Sequence, residues 1–327
     1  MDYIVFDLEW NQCPYGKKRE NPALPFEIIE IGAVKLNERK EYLDSFHVLI
    51  RPAVYKRLHF QTSRVVGLKE KDLMKGQPFR EAAEAFLDWC GEDVRFCTWG
   101  TLDLMELQRN LAFYHMEGRL VGPILYEDVQ KLYAIYTGCK KERKSLKDAV
   151  SALCLPEDGE FHLAKEDAVY TAKVFQKIPD AIIHDYFSID CFRNPKKKEE
   201  EICIRYRDYE KFISREFRSK EELLADSGVM TVHCFLCGRP LRRSVRYFAD
   251  SGGRNYTAVG RCSEHGFSKS KVRVREAADG RYYAIRTIRR ISDEEVGDIR
   301  RKVAFLKLKK QAKRKKTAEI QVSSGNS

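Results

Sequence analysis

Tyr3-Ile4-Val5-Phe6-Asp7-Leu8-Glu9-Trp10 is the stretch on which the fold turns. It is apolar from Tyr3 to Phe6 and contains β-branched residues, so it reads as a strand. Residues i and i+2 of a strand share a face, which points the carboxylates of Asp7 and Glu9 the same way. Two adjacent carboxylates with no nearby Lys or Arg repel each other unless a cation neutralises them. A metal site is the natural reading.

Two further segments carry chemistry-bearing residues. Asp103 ends Thr98-Trp99-Gly100-Thr101-Leu102-Asp103, and His162 and Asp167 lie in Phe161-His162-Leu163-Ala164-Lys165-Glu166-Asp167. Asp158-Gly159-Glu160 breaks regular structure, which leaves His162 in a loop and Asp167 in the first turns of a helix from about Ala164 to Ile178. Taken singly, an Asp at 103 or a His before a helix carries little weight. The ordered set of five carries much more.

The surrounding pattern is that of an α/β layer with a mixed sheet. Tyr3–Phe6, Ile28–Leu36 and Tyr42–Ile50 are strand candidates. Phe79–Cys90 is a helix with Phe79, Ala82, Ala83, Phe86 and Leu87 on one face. Val94–Thr98 reads as a short strand, Leu102–Met116 as a helix, Leu125–Val129 as a short element and Ser145–Leu153 as a helix. Residues 181–228 read as a charged helical connector, with Tyr209–Phe217 and Lys220–Asp226 able to form helices. Beyond Gly228 short strands are expected, with hairpin signals at Ser251-Gly252-Gly253 and Asp279-Gly280. Ser292-Asp293-Glu294-Glu295 is a capping box that opens a final basic helix, followed by a polar tail expected to be disordered.

The acidic pair, the central Asp, and a His followed five residues later by Asp resemble the DEDDh branch of the DnaQ-like 3′-to-5′ exonucleases. Phe26-Glu27-Ile28-Ile29-Glu30-Ile31-Gly32-Ala33-Val34 resembles that family's second strand, and the likeness spans roughly residues 1–180. Within the family it is similar to the KapD-like, small-RNA-trimming members. The resemblance implies an RNase H-like mixed sheet flanked by helices and two Mg²⁺ or Mn²⁺ ions. These hard cations take oxygen ligands. It further implies that Asp7, Glu9, Asp103 and Asp167 are the metal ligands and that His162 is the general base, a role its near-neutral titration suits. Leu8, through its backbone, and Trp10 and Phe161, through ring stacking, are candidate contacts to the terminal nucleotide; core packing explains the two rings equally well. Glu30 and Glu166 match no ligand position, and read as surface residues or supports for the ligands. His59, in the segment from Leu58 to Leu68, reads as structural.

A second metal pattern lies downstream. Cys234-Phe235-Leu236-Cys237 and Cys262-Ser263-Glu264-His265 are two ligand pairs separated by hairpin-forming sequence, which reads as a Cys₃His zinc ribbon with one structural Zn²⁺. His233 is the poorer candidate ligand because it directly precedes Cys234. Around the knuckles, residues 229–291 interleave Arg and Lys with Tyr and Phe. That composition suits single-stranded nucleic acid, with charge meeting phosphates and rings meeting bases.

Charge divides the chain in the same sense. Residues 1–180 carry a net charge of −3 and residues 181–327 one of +14. Chemistry is therefore expected in the first part and polyanion binding in the second. No apolar run is long enough for a membrane span and no signal peptide is evident at Met1-Asp2-Tyr3. Cysteines at this length point to a reducing, cytoplasmic setting, with Cys13, Cys90, Cys97, Cys139 and Cys154 read as small buried side chains. The expected protein is a metal-dependent exonuclease that cuts single-stranded nucleic acid, RNA more than DNA, to nucleoside 5′-monophosphates. The alternatives are a DNA proofreading or repair exonuclease, and an inactive nucleic-acid-binding or partner-docking protein.

Overall fold

Period-two alternation along the first strand builds two cores at once. Ile4, Phe6 and Leu8 enter one hydrophobic cluster, while Tyr3 and Val5 enter another on the opposite face of the sheet. The structure is a computed structural model that describes residues 1–324 except 68, 140, 141, 158, 191, 251 and 278, with the side chains of 65 and 310–324 also outside the description. It divides into two units, Met1–Arg193 and Asn194–Ser327.

The first unit runs β1 (Asp2–Gln12), β2 (Phe26–Leu36), β3 (Tyr42–Leu49), α1 (Phe60–Val65), α2 (Glu70–Leu73), α3 (Phe79–Cys90), β4 (Val94–Thr98) and α4 (Leu102–Phe113). It continues with β5 (Leu125–Asp128), α5 (Val129–Tyr136), α6 (Leu146–Ala152), α7 (Ala164–Lys177), α8 (Asp180–Tyr186) and β6 (Ser188–Ile189). The sheet order is β3-β2-β1-β4-β5-β6. The first three strands are antiparallel neighbours, β4 and β5 join in parallel, and β6 closes the edge antiparallel to β5. Side chains of α3 and α4 fill the cluster around Phe6 and Phe86, and those of α5, α6 and α7 fill the one around Val5 and Phe175. Each such fully buried ring contributes about 1.5–3 kcal/mol. The expected α/β sheet flanked by helices is therefore present.

One glycine sets the depth of the second layer. Gly32 pairs with Asp7 across β1 and β2, and a Cβ placed on it would lie 2.1 Å from the backbone nitrogen of Lys165 and 2.2 Å from the carbonyl carbon of Ala164. The first turn of α7 can rest on the sheet only because no side chain is there. Buried Ala164 and Ala168 keep the helix face equally thin.

The second unit departs from the expected connector plus small ribbon. Its elements are β7 (Ile202–Arg205), β8 (Tyr209–Ile213), α9 (Lys220–Ala225), α10 (Ser227–Met230), β9 (Arg242–Ala249), β10 (Asn255–Cys262), β11 (Gly266–Glu276), β12 (Tyr282–Ile291) and α11 (Asp293–Ser324). They form a sheet in the order β7-β8-β12-β11-β10-β9. Residues 202–213, read as part of a helical connector, instead add two strands. Ile202 and Ile204 alternate with more exposed Cys203 and Arg205, and β8 pairs with the long β12. The expected helix over Lys220–Asp226 is present as α9. Gly280 adopts the left-handed conformation between β11 and β12 as its hairpin signal requires, whereas Ser251 lies outside the described residues. At the capping box, the Glu295 N–H donates to Ser292 Oγ at 3.3 Å, but the Glu295 carboxylate turns to Lys269 and Arg289. The backbone of α11 continues helically to Ser324, through much of the segment expected to be disordered; residues 325–327 lie outside the described residues. No helix of the described residues is long and apolar enough to cross a membrane.

Gly32→Ala should push α7 off the sheet. Overpacking against backbone costs about 1–3 kcal/mol, and urea denaturation should read at least that loss. A variant as stable as the parent would show that the close approach is not a constraint.

Candidate active site

The alternation that feeds two cores also places the acidic pair. Beyond Val5, positions 7 and 9 continue the face covered by α7, so Asp7 and Glu9 look toward the helix that carries Asp167. A register shift between Glu9 and Trp10 interrupts the pairing with β2 directly after the pair, and the pairing resumes with Trp10 opposite Ile28. Asp103 arrives from the first turn of α4, and its Oδ1 accepts the Leu8 N–H at 3.3 Å. His162 stands just before α7 with φ of 72°. Its own N–H donates to Asp167 Oδ2 at 3.1 Å, while its side chain lies exposed. Asp158, the first residue of the predicted break upstream, lies outside the described residues. Ligand atoms of Glu9, His162 and Asp167 lie within 4.8 Å of one another.

The electrostatics suit a cation. Burial, then the charges of Asp103, Asp167 and Glu9, raise the Asp7 carboxyl well above its usual range. Burial is likewise the first cause at Glu9, pushed up to about 9, at Asp103, pushed to about 7, and at Asp167, pushed to about 6. Asp167 Oδ1 is buried without a hydrogen-bond partner. Oxygen donors crowded together with an orphaned buried acceptor fit a hard divalent ion, since only such a charge offsets both repulsion and desolvation.

Glu30 is more than a surface acid. It is 2 % exposed, sits directly across from Glu9, and holds His47 Nε2 at 2.8 Å through Oε1 while Oε2 has no partner. Its charge acts on Asp7, Glu9 and Asp167. The pattern Ile29-Glu30-Ile31 in a buried strand was the available signal, but reading it required the register of β2 against β1. Glu166 is half-buried, and its charge also bears on Asp167.

Among the expected nucleotide contacts, Leu8 is 3 % exposed and its N–H is committed to Asp103. Its backbone donor is thus spent on positioning a carboxylate. Trp10 is half-buried with its ring 5.6 Å from that of Phe26, and Phe161 stacks on Tyr170 at 4.6 Å. For both rings the structure shows packing partners. His59 has the structural role expected of it, capping α1 by accepting the Gln61 N–H and donating its own N–H to Asn11 at 2.9 Å. The polar clamps of this region went unread. Glu27 accepts three consecutive backbone N–H groups from Ala53, Val54 and Tyr55, and Asn110 ties α4 to the backbone of Phe26 and Ile28. Of the cysteines read as buried, Cys13, Cys90 and Cys97 are so, whereas Cys139, in the loop after α5, and Cys154, in the turn after α6, are exposed.

In the second unit Cys234, Cys237, Cys262 and His265 converge. His265 Nδ1 is 3.6 Å from both Cys234 Sγ and Cys262 Sγ, and the Cys237 and Cys262 sulfurs are 4.0 Å apart. Gly238 and Gly266 follow the two ligand pairs with φ of 72° and 75°, turning the chain under the cluster. The Arg239 guanidinium, 3.3 Å from Cys237 Sγ, is the first cause of a thiol pKa lowered to about 6. His233 instead bonds Glu210.

The exonuclease family model RNase_T matches residues 4–175. No curated protein matches the chain. Among solved structures it is similar to a full-length 3'-exonuclease, at 19% identity over 54% of this chain and 80% of that one, with a TM-score of 0.46. It is also similar to the nuclease domain of 3'hExo, a DEDDh family member bound to rAMP, at 19% identity over 58% and 96% with a TM-score of 0.47. E. coli Exonuclease I in complex with a dA16 oligonucleotide matches at 10% identity over 81% and 55%, with a TM-score of 0.45.

Raised carboxyl pKa values make stability fall with pH when no cation is supplied. The folded chain keeps protons that the unfolded chain loses near pH ~4. That contribution is full below this value and is lost as pH rises through about 6, 7 and 9. In a chelator the melting temperature should therefore decline between about pH 5 and about pH 9, and excess Mn²⁺ should remove the slope. A flat profile in chelator would contradict the electrostatic reading.

Proposed function

The chain belongs to the RNase_T exonuclease family of 3′-to-5′ phosphodiester hydrolases, and from that premise we propose a two-metal enzyme that trims single-stranded RNA in preference to DNA. The observation that carries this reading is the convergence of Asp7, Glu9, Asp103, His162 and Asp167 around the middle of β1. The four carboxylates would hold two Mg²⁺ or Mn²⁺ ions, which neutralise charge at phosphorus and favour both the attacking and the leaving oxygen. The remaining work falls to the chain's own groups. Asp167 fixes the His162 backbone by accepting its N–H, leaving the exposed imidazole free to approach a substrate end. That imidazole takes the proton of the attacking water as general base. The water oxygen bonds to phosphorus as the bond to the 3′-oxygen of the preceding nucleotide breaks, that 3′-oxygen takes a proton from solvent, and a nucleoside 5′-monophosphate leaves. The RNA preference rests on the resemblance to KapD-like, small-RNA-trimming members, and a cytoplasmic location on the reduced cysteines.

The second unit carries one structural Zn²⁺ on Cys234, Cys237, Cys262 and His265 in this reading. Bond lengths of about 2.3 Å to sulfur and about 2.0 Å to nitrogen give tetrahedral edges of roughly 3.5–3.8 Å, close to the 3.6–4.0 Å separations observed. The basic unit around it retains substrate.

Matched 5′-labelled RNA and DNA strands test the proposal. With Mg²⁺ or Mn²⁺ a ladder should shorten from the 3′ end, faster for RNA, and vanish with EDTA or in Asp7→Ala. Faster DNA shortening would favour the repair reading, and intact strands despite tight binding would favour an inactive binding protein. Cys234→Ser should lower both zinc content and thermal stability; unchanged zinc stoichiometry would refute the assignment.

A further inference from the structure

The basic residues of the second unit do not form one undifferentiated surface. Arg239 is engaged by Glu264 and Cys237. Arg242, Arg243 and Arg246 stand exposed on β9, the edge strand, where charge also discourages unwanted strand pairing. The centre of the sheet is different. Along β11, Ser268, Ser270, Val272 and Val274 are buried, and the two valines pack with Leu223 and Val229 of α9 and α10. The intervening Lys269, Lys271, Arg273 and Arg275 share the opposite face.

Register extends that face across the sheet. Lys271 lies beside Thr257 on β10 and Thr287 on β12, and Thr287 in turn lies beside Lys211 on β8. Arg275 lies beside Tyr283. The first residues of α11 cover one end, where Phe267, Val259 and Ile291 pack with Val296 and Ile299. There Glu295 neutralises Lys269 and Arg289. Past that point ion pairing stops: Lys211, Lys271, Arg273 and Arg275 make no ion pair among the described residues, although the charge of Asp250 bears on Lys271. Burial, then the charges of Arg273 and Lys269, hold the Lys271 amine below its usual value, with Lys302 adding to the shift and Asp250 opposing it. Like charges on neighbouring sheet positions are destabilising, so a row of them without ion-pair partners calls for an anion. Alternate residues of a strand stand about 6.8 Å apart, so the β11 cations form a linear ladder suited to a linear polyanion.

We propose that the sheet face bearing Lys211, Lys271, Arg273 and Arg275 binds the phosphate backbone of single-stranded nucleic acid, which rests on the exonuclease reading above. The contact reads charge and not base identity, and its affinity falls as salt rises.

The full-length chain and its Lys271→Gln/Arg273→Gln/Arg275→Gln variant test this by fluorescence anisotropy with a labelled oligoribonucleotide in EDTA across a salt series. Three lost phosphate contacts at about 0.7 each should lower the slope of log Kd against log salt by roughly two, with Kd at least about tenfold weaker at low salt. A charge-keeping Lys271→Arg/Arg273→Lys/Arg275→Lys variant should retain the slope, which separates lost charge from lost folding. The p-nitrophenyl ester of a nucleoside 5′-monophosphate, too small to need the face, should be cleaved by the neutral variant as by the parent. An unchanged slope in that variant, or an equal loss on Arg242→Gln/Arg243→Gln/Arg246→Gln, would overturn the assignment. Failure of the parent to cleave ester or RNA would instead overturn the exonuclease reading, leaving the salt slopes to judge the surface.

Discussion

The approach of α7 to the sheet at Gly32 is the constraint on which the candidate active site depends. A carboxylate on a helix can join two on a strand only if the backbones come close, and at Gly32 there is no room for even a Cβ against Ala164–Lys165. Because Gly32 lies opposite Asp7, the place of closest contact and the place of densest negative charge are neighbours. Packing enthalpy from the Val5–Phe175 core holds together groups that electrostatics would separate. The strain that remains is of the kind a divalent cation relieves.

Hydrogen bonds then convert proximity into placement. Asp103 is fixed by the backbone of Leu8, and the backbone of His162 is fixed by Asp167. Each bond joins residues from different elements, so the site is assembled from strand, helix and loop without a dedicated scaffold. Glu30, buried beside Glu9 and tied to His47, deepens the negative field from the adjacent strand.

Much of the first unit was legible because its elements are amphipathic and its acids fall at informative spacings. The strands at 3–6 and 28–36 emerge from apolar and β-branched content and the helix at 79–90 from its periodic face, and the shared direction of Asp7 and Glu9 follows from alternation. Gly32 looked unremarkable in sequence because its role depends on a helix more than a hundred residues away. Glu30 was underrated for the same reason, since only strand register brings it to Glu9. The second unit was less readable. Tyr209–Phe217 reads as able to form a helix in a charged connector, whereas β12 recruits Tyr209–Ile213 as a strand through long-range pairing. The two ligand pairs around Cys234 and Cys262 were visible from spacing, yet the sheet that carries them was not.

Leu8 occupies a junction whose consequence concerns robustness. Its side chain belongs to the core around Phe6 and Phe86, while its backbone anchors an acid that serves the face packed against the other core. The candidate active site therefore answers to both cores, and loosening of either one would misplace a carboxylate. Inactivation by heat would report the weaker of two packed layers, and lesions far apart in the first unit would share one functional signature.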